Sequence, residues 1–277
     1  MRLNYNNEAG ISEENRRLLK ALNRSSKQPF SAQEAAEWLK VDLSRARRFL
    51  AYLASREWLA RVRPGAYITV PLDAADPSEW REDPWIVAAS LFSPCYIAGW
   101  SACEHWGLTE QIFRDVAVIS SRRIRNRAAR IQGTLFRVKV LPPEKLFGLR
   151  SVWRREVKIQ ISDPSRTIVD ILDDPSMGGG IRHAADALSV YFKEKEFRND
   201  GLLLNYTSKL NNGAIYKRLG YLVETLRISA DRIIGNCREN LTSGISALDP
   251  SVKAKGRIIR RWNLRVNAKV AQPEDQT

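Results

Sequence analysis

Glu156-Val157-Lys158 is the first place in this chain of 277 residues where residue type and spacing could do chemistry. An acid and a lysine two apart on a strand share one face. With Asp115 before an earlier strand as the second carboxylate, they match the acid-x-lysine end of the PD-(D/E)xK pattern, in which paired carboxylates hold Mg²⁺ for phosphodiester hydrolysis. No Pro-Asp precedes that strand, and Glu-x-Lys on one strand face is a common surface ion pair, so a metal-dependent nuclease stands as the alternative and not as the reading. Ser101 and His105 are four apart on an expected helix, without a nucleophile elbow or a third member, and a histidine beside a tryptophan is more often a core residue. Asp163 and Asp170 share a helix face, but Asp163 reads as a helix cap and Asp170 as the i,i+4 partner of Arg166. Gly178-Gly179-Gly180 lacks the lysine and the preceding strand of a phosphate loop and reads as a flexible connection. Cys95, Cys103 and Cys237, with His105 and His183, have no metal-ligand spacing. The expectation is therefore no metal, no cofactor and no enzyme.

The remaining chemistry belongs to arginine. Ser44, Arg45, Arg47, Arg48 and Tyr52 follow a break at Val41-Asp42, interleaved with Ala46, Phe49, Leu50 and Leu53 at helical spacing. One face of that helix is core, and the other offers hydroxyl and guanidinium donors. Such a helix can enter a DNA major groove, where arginine holds guanine O6 and N7 with two bonds or clamps phosphate, and where the helix N-terminus adds a positive pole. Arg61 and Arg63 lie further on, in a stretch that alternates from Leu59 to Arg63, turns at Pro64-Gly65 and continues from Ala66 to Val70. Pro-Gly suits the centre of a type II turn. The hairpin carries both arginines on the face away from Val62, as a wing against a phosphate backbone.

The elements that must position these residues are legible nearby. Ser31-Ala32-Gln33-Glu34 is a capping box that starts a helix near Ala32, with Ala35, Ala36 and Leu39 inward. Residues 13–22 repeat Leu18, Leu19 and Leu22 as an earlier helix packed behind the reader. Helix, capped helix, basic helix and basic hairpin make a winged helix-turn-helix domain over residues 1–75. A run of Asp, Pro, Ser and Glu over 71–84 reads as an acidic linker, and the domain boundary is expected there.

Net charge is +14, which favours an anionic partner, nucleic acid above all, and the hydrophobic fraction of 44% with eight tryptophans supports two domains with real cores. The excess is local. Residues 1–75 carry 13 basic against 8 acidic residues, 122–158 carry 12 against 2, and 251–277 carry 7 against 2. Within the middle block, Arg122, Arg123, Arg125, Arg127 and Arg130 place five arginines in nine residues. That run is expected to be a second basic surface, for DNA or for control of a partner protein. No apolar run approaches membrane-spanning length and no secretory leader is legible, so a cytoplasmic protein with reduced, mostly buried thiols is expected, without membrane contact.

Residues 80–270 read as a second body, a mixed sheet with helices, which makes the fold class α+β. Pro84 opens a buried helix. A short helix follows Tyr96 and ends at His105-Trp106-Gly107, with Gly107 as its cap. Strands are expected over 112–119, 134–141 and 157–161, then a helix capped by Asp163 with Pro164 in its first turn. Helical patterns over 180–192, 201–210, 214–226 and 230–241 make a helical C-terminal part. Residues 260–266 alternate as a late strand, 1–10 fray, and 271–277 form a disordered tail.

Four stretches together resemble the AbiEi antitoxin family: 96–111 (YIAGWSACEHWGLTEQ), 161–170 (ISDPSRTIVD), Gly178-Gly179-Gly180-Ile181 and 261–267 (RWNLRVN). The resemblance covers almost the whole chain. It implies an N-terminal winged helix joined to a larger antitoxin domain, in a bacterial type IV toxin–antitoxin system linked to abortive phage defence. The implied partner is an AbiEii-like nucleotidyltransferase toxin encoded next door, with or without direct contact. Members also repress their own operon by binding inverted repeats upstream, an arrangement compatible with a monomer in solution that binds double-stranded operator DNA cooperatively. A stand-alone transcriptional regulator with a ligand-sensing C-terminal domain is the other alternative.

Overall fold

The computed structural model describes residues 12–71, 74–253 and 255–270. The expected fraying start and disordered tail lie outside these residues. The chain is α+β and divides into two compact units.

The first unit comprises residues 1–92 together with 130–134 and 153–159. It opens with α1 (Glu13–Ser25), capped by Ser12, whose hydroxyl accepts from the Asn15 amide at 3.2 Å. Then come β1 (Phe30–Ser31), α2 (Ala32–Leu39), α3 (Leu43–Ser55), β2 (Leu59–Arg63) and β3 (Ala66–Thr69). The strands pair in the order β1-β3-β2, antiparallel throughout. Leu22, Phe30, Ala35, Leu39, Phe49, Leu50, Leu53 and Leu59 fill the space between the helices and this sheet. Helix, strand, helix, helix and hairpin in that order is a winged-helix topology.

The acidic stretch after β3 does not end the unit. α4 (Pro84–Leu91) belongs with it, capped by Asp83, and Ser90 Oγ donates to the Pro29 carbonyl at 2.8 Å. Glu82 is buried, and it receives the Asp83 amide at 2.7 Å and the Arg155 guanidinium at 3.1 Å. Burial pushes its carboxyl above the usual range, against the pull of the Asp83 amide and Arg155. A stretch anchored by a buried acid cannot act as a free linker, and the expected boundary at 71–84 falls inside the first unit.

The second unit holds most of a six-stranded mixed sheet and the remaining helices. The strands are β4 (Cys95–Ile97), β5 (Val116–Ser120), β6 (Ala128–Ile131), β7 (Thr134–Val140), β8 (Leu149–Arg154) and β9 (Val157–Ser162), in the order β6-β7-β5-β4-β9-β8. β5 runs parallel to β7 with Val118 opposite Val138, and β4 runs antiparallel to β5 and parallel to β9. α5 (Gly99–His105) follows β4 and ends as expected, with Gly107 left-handed at φ 67°. α6 (Pro164–Asp173) is the centre of the core, buried from Pro164 to Leu172. Around it lie α7 (Ile181–Lys193), α8 (Asp200–Leu210), α9 (Gly213–Thr225) and α10 (Asp231–Glu239), joined in one apolar cluster. A small sheet of β10 (Ser246–Ala247), β12 (Leu264–Val266) and β11 (Arg257–Ile259), in that order, closes the described chain.

α6 buries charge as well as carbon. Arg166 and Asp170 are almost wholly buried, and Arg166 Nε donates to Asp170 Oδ1 at 2.9 Å. Tyr96 OH receives Arg166 Nη2 at 2.8 Å and donates to Asp170 Oδ2 at 3.1 Å. The guanidinium also lies over the Phe147 ring at 4.2 Å. Burial pushes the Asp170 carboxyl up to about 6, although Arg166 and Lys139 draw it down. Asp163 caps α6 from the Arg166 amide at 2.8 Å and also accepts from Tyr206 OH at 2.9 Å.

Three expected elements differ. Residues 112–115 are not strand: Ile112 is 85% exposed, and the loop is held instead by the Gln111 amide on Thr109 Oγ1 and the Phe113 amide on Glu104 Oε2. The three glycines are not a flexible connection. A 3-10 turn (Pro175–Gly178) packs so closely that a Cβ on Gly178 would meet Ile171 Cβ at 2.7 Å, and Gly179 and Gly180 take φ of 77° and 93°. Residues 260–266 are not one strand, because a 3-10 turn (Arg260–Trp262) and a left-handed Asn263 separate β11 from β12. The turn drives Trp262 into the core, where its indole N–H donates to Glu224 Oε2 at 2.6 Å.

Candidate nucleic-acid interface

α2 starts at the capping box: the Glu34 amide donates to Ser31 Oγ at 3.2 Å and the Ser31 amide to Glu34 Oε2 at 2.7 Å. It stops because Lys40 turns left-handed at φ 54°, after which the Val41 amide reaches back to the Ala36 carbonyl at 3.1 Å. The turn hands over to α3 at Asp42, whose Oδ1 accepts from the Arg45 amide at 2.8 Å. That hydrogen bond holds the Asp42 carboxyl below its ordinary range. The positive pole expected at this helix end therefore already carries a carboxylate, and anion recognition here rests on side chains.

On α3, Ala46, Phe49, Leu50 and Leu53 point inward and Ser44, Arg45, Arg47 and Arg48 are exposed, as their spacing requires. These exposed residues are not equivalent. Arg45 is ion-paired with Glu14 of α1. Arg48 Nη1 donates to Ser44 Oγ at 2.8 Å, which lays the guanidinium along the helix. Arg47 has no ion pair among the described residues. Tyr52 is half-buried: its ring meets Trp58 edge-on at 6.3 Å, and Arg56 covers it at 5.8 Å.

The wing forms as the alternation implies, with one irregularity. Arg61 pairs with Tyr67 and Arg63 with Ala66, so Val62 is bulged, buried between two exposed arginines. Gly65 at φ 79° supplies the left-handed residue that the Pro64-Gly65 turn demands. The Arg61 guanidinium lies 5.6 Å from the Tyr67 ring centroid, and Arg63 projects at the tip.

The second arginine run is exposed along its length but is divided. Arg122, Arg123, Arg125 and Arg127 occupy the connection from β5 to β6 in the second unit, whereas Arg130 lies on the part of β6 that belongs with the first. Arg130 Nη1 donates to the Gly133 carbonyl at 2.8 Å. Two further guanidiniums of the first unit, Arg56 and Arg81, are not singled out by sequence pattern. Arg56 stands just past the end of α3, and Arg81 is flanked in the sequence by Glu79, Glu82 and Asp83, which cancel it in any local count of charge.

The sequence matches no protein-family profile and no curated protein. In fold, the chain is similar to the crystal structure of the RV2827C protein from Mycobacterium tuberculosis, with a TM-score of 0.63 over 92% of this chain and 91% of that one at 15% sequence identity. At that identity the likeness is one of architecture, and it extends over both units.

The rival sites take a different form from the one their spacing suggests. Glu156 is in the turn before β9, not on the strand, and pairs with Lys27 at 2.5 Å, while Asp115 lies 3.8 Å from Arg137. No group of three or more His, Cys, Asp or Glu among the described residues could hold a metal ion. Ser101 is buried, its hydroxyl accepting from the Ala117 amide at 3.1 Å. His105 is exposed instead of core, lying edge-on to Trp106. Of the thiols, Cys103 and Cys237 are buried and Cys95 is partly so; burial pushes Cys95 and Cys237 up to about 12. No described helix is long and apolar enough to cross a membrane.

The second unit also contains a cavity of about 880 Å³, lined by Leu108, Thr109, His183, Asp186, Val190 and Lys193 among others. His183 is fixed beside it. Its Nδ1–H donates to the Gly178 carbonyl, which leaves Nε2 to accept from Thr109 Oγ1 at 2.8 Å, and burial lowers its pKa.

Proposed function

We propose that this chain is a sequence-specific DNA-binding protein that represses its own operon, and that it serves as the antitoxin of an AbiEi-type system opposite a nucleotidyltransferase-like toxin. The observation that carries the DNA reading is the solvent face of α3 with the wing beside it. Arg47 and Arg63 stand exposed with no ion pair among the described residues and Arg48 stands exposed on Ser44, on elements whose opposite faces are used as core. Arginine so placed reads guanine or clamps phosphate, and the hairpin straddles the backbone. The antitoxin role rests on the resemblance of four stretches to the AbiEi family. The reading is non-enzymatic, with a cytoplasmic site of action.

Fluorescence anisotropy of the protein on its own upstream DNA and on scrambled DNA, across a salt series, tests the first part. The expected result is a preference of ~10³ or more for the native site with a steep salt slope. Equal, weak binding to both refutes it. Growth rescue on co-expression with the neighbouring nucleotidyltransferase-like gene tests the second part, and failure of rescue with intact repression leaves a plain regulator. The 880 Å³ cavity favours that second reading specifically, since it is large enough for a small effector.

A further inference from the structure

We propose that the first unit has a second phosphate seat beside the wing, a cleft that takes a backbone phosphodiester of bound DNA among Arg61, Arg81 and Arg130; this rests on the DNA reading above. The cleft, of about 430 Å³, is lined by Glu57, Arg61, Ser78, Arg81, Gln132 and Gly133 among others. Three separate stretches of chain supply it: the end of α3 with β2, the turn over 76–81, and the β6–β7 turn.

Each stretch holds its guanidinium in place chiefly with uncharged groups. Asp76 Oδ1 closes the 76–81 turn by accepting from the Ser78 amide at 2.9 Å and hydroxyl at 2.7 Å. Arg81 Nη1 then donates to the Ser78 carbonyl at 2.9 Å and the Trp80 carbonyl at 2.8 Å. Its other edge meets the Glu79 carboxylate, 3.9 Å from Nη2 and 78% exposed, and no other ion pair among the described residues. Arg61 rests on the Tyr67 ring. Arg130 is tied to the Gly133 carbonyl, and Gly133 forms part of the cleft wall, so this guanidinium stands at the rim. The β6–β7 turn is itself docked, because Gln132 Oε1 accepts from the Glu82 amide, the residue after Arg81, at 3.3 Å.

Arg61 and Arg81 line a cavity with room for several waters of roughly 30 Å³ each and Arg130 stands at its rim, so an anion seated there meets positive charge from three stretches of chain. Glu57 is the carboxylate that lines the cleft, too few to balance them. The anion is a diester of the duplex because Arg61 belongs to the wing that flanks the reading helix, so bound DNA passes the cleft mouth.

The test uses the full chain on its upstream DNA over a salt series. Arg81→Gln with Arg130→Gln lowers the salt slope by ~0.9, for the one phosphate that is no longer neutralised. Arg81→Lys with Arg130→Lys, which keeps the charge, restores it. Lys195→Gln with Lys253→Gln, exposed lysines outside the cleft with the same reduction of net charge, leaves the slope unchanged. Glu57→Gln, which removes the lining carboxylate, tightens binding roughly two- to five-fold. A wild-type preference for the native site together with an unchanged slope in the double glutamine variant overturns the cleft alone, as does Glu57→Gln without effect. Should the double variant melt early, the Glu57→Gln result decides. A wild-type protein without site preference overturns the DNA reading itself.

Discussion

Glu14→Gln should tighten operator binding while loosening the fold. Glu14 lies in the first turn of α1 and Arg45 in the first turn of α3, 31 positions apart in sequence, and the two side chains are 56% and 47% exposed. To touch DNA, Arg45 must leave this carboxylate. An ion pair this exposed is worth roughly 0.2–1 kcal/mol, so releasing it in advance improves the dissociation constant by roughly 1.4- to 5-fold. The salt slope changes by well under ~0.9, because Arg45 neutralises the same phosphate in both complexes. The same substitution removes a carboxylate from the positive end of α1, which costs ~0.3–1 kcal/mol of stability. Binding and stability therefore move in opposite directions. Anisotropy on the upstream DNA reads the first and urea unfolding the second. The pair also makes Arg45→Ala milder than Arg47→Ala, since the wild-type Arg45 interaction with DNA is already discounted by its competitor. An unchanged or weaker affinity in Glu14→Gln would refute the idea that Arg45 turns to DNA.

Arg47→Ala should weaken operator binding by ~1–3 kcal/mol and Arg63→Ala should chiefly lower the salt slope by roughly one; binding titrations that show neither would remove the reader from α3 and the wing. Replacing Arg122, Arg123, Arg125, Arg127 and Arg130 together by glutamine should lower the slope further or abolish growth rescue, and full activity in both assays would make the run an inert solvated connection. Gly220→Ala should destabilise the second unit by ~1–3 kcal/mol or more, because the new Cβ would stand 2.2 Å from Trp262 Cζ3 and Glu224 holds that indole in place. Near-UV dichroism with urea unfolding reads it, and combining it with Trp262→Leu should cost less than the sum. Asp42→Asn keeps a competent cap but removes a titration. The folded Asp42 carboxyl lies below its unfolded value of 3.8, so its contribution is present above that pH and is lost as pH falls through the lowered value. The melting temperature of Asp42→Asn should fall less on acidification below about pH 4 than that of the wild type.

What the sequence discloses depends on how far apart the partners lie. The Ser31–Glu34 box, the Asp163-Pro164 helix start, the Pro64-Gly65 turn and the Arg166–Asp170 pair are all closed within four residues, and each stands where its spacing demands. Tyr96 meets Arg166 across 70 positions, and nothing local in either stretch announces it. The same distance rule explains the errors. Ile112 reads as strand because β-branched residues follow it, but a neighbouring carboxylate and hydroxyl hold that segment as a loop. Trp262 alternates like a strand residue, yet a buried indole needs depth that a two-faced strand at the surface cannot give, and the chain reaches it through a 3-10 turn over Gly220. Charge is the hardest property to read, since its meaning is set entirely by partners. The guanidiniums around α3, the wing and the β6–β7 turn look alike in sequence. Folded, one is neutralised by Glu14, one lies along its own helix on Ser44, one rests on Tyr67, and Arg81, hidden among acids, lines the cleft with Nη1 on two backbone carbonyls. A basic count can thus nominate a nucleic-acid partner, but which arginines are available to it is decided by interactions between elements. That Arg45→Ala should cost less than Arg47→Ala follows from those interactions and from no count of charge.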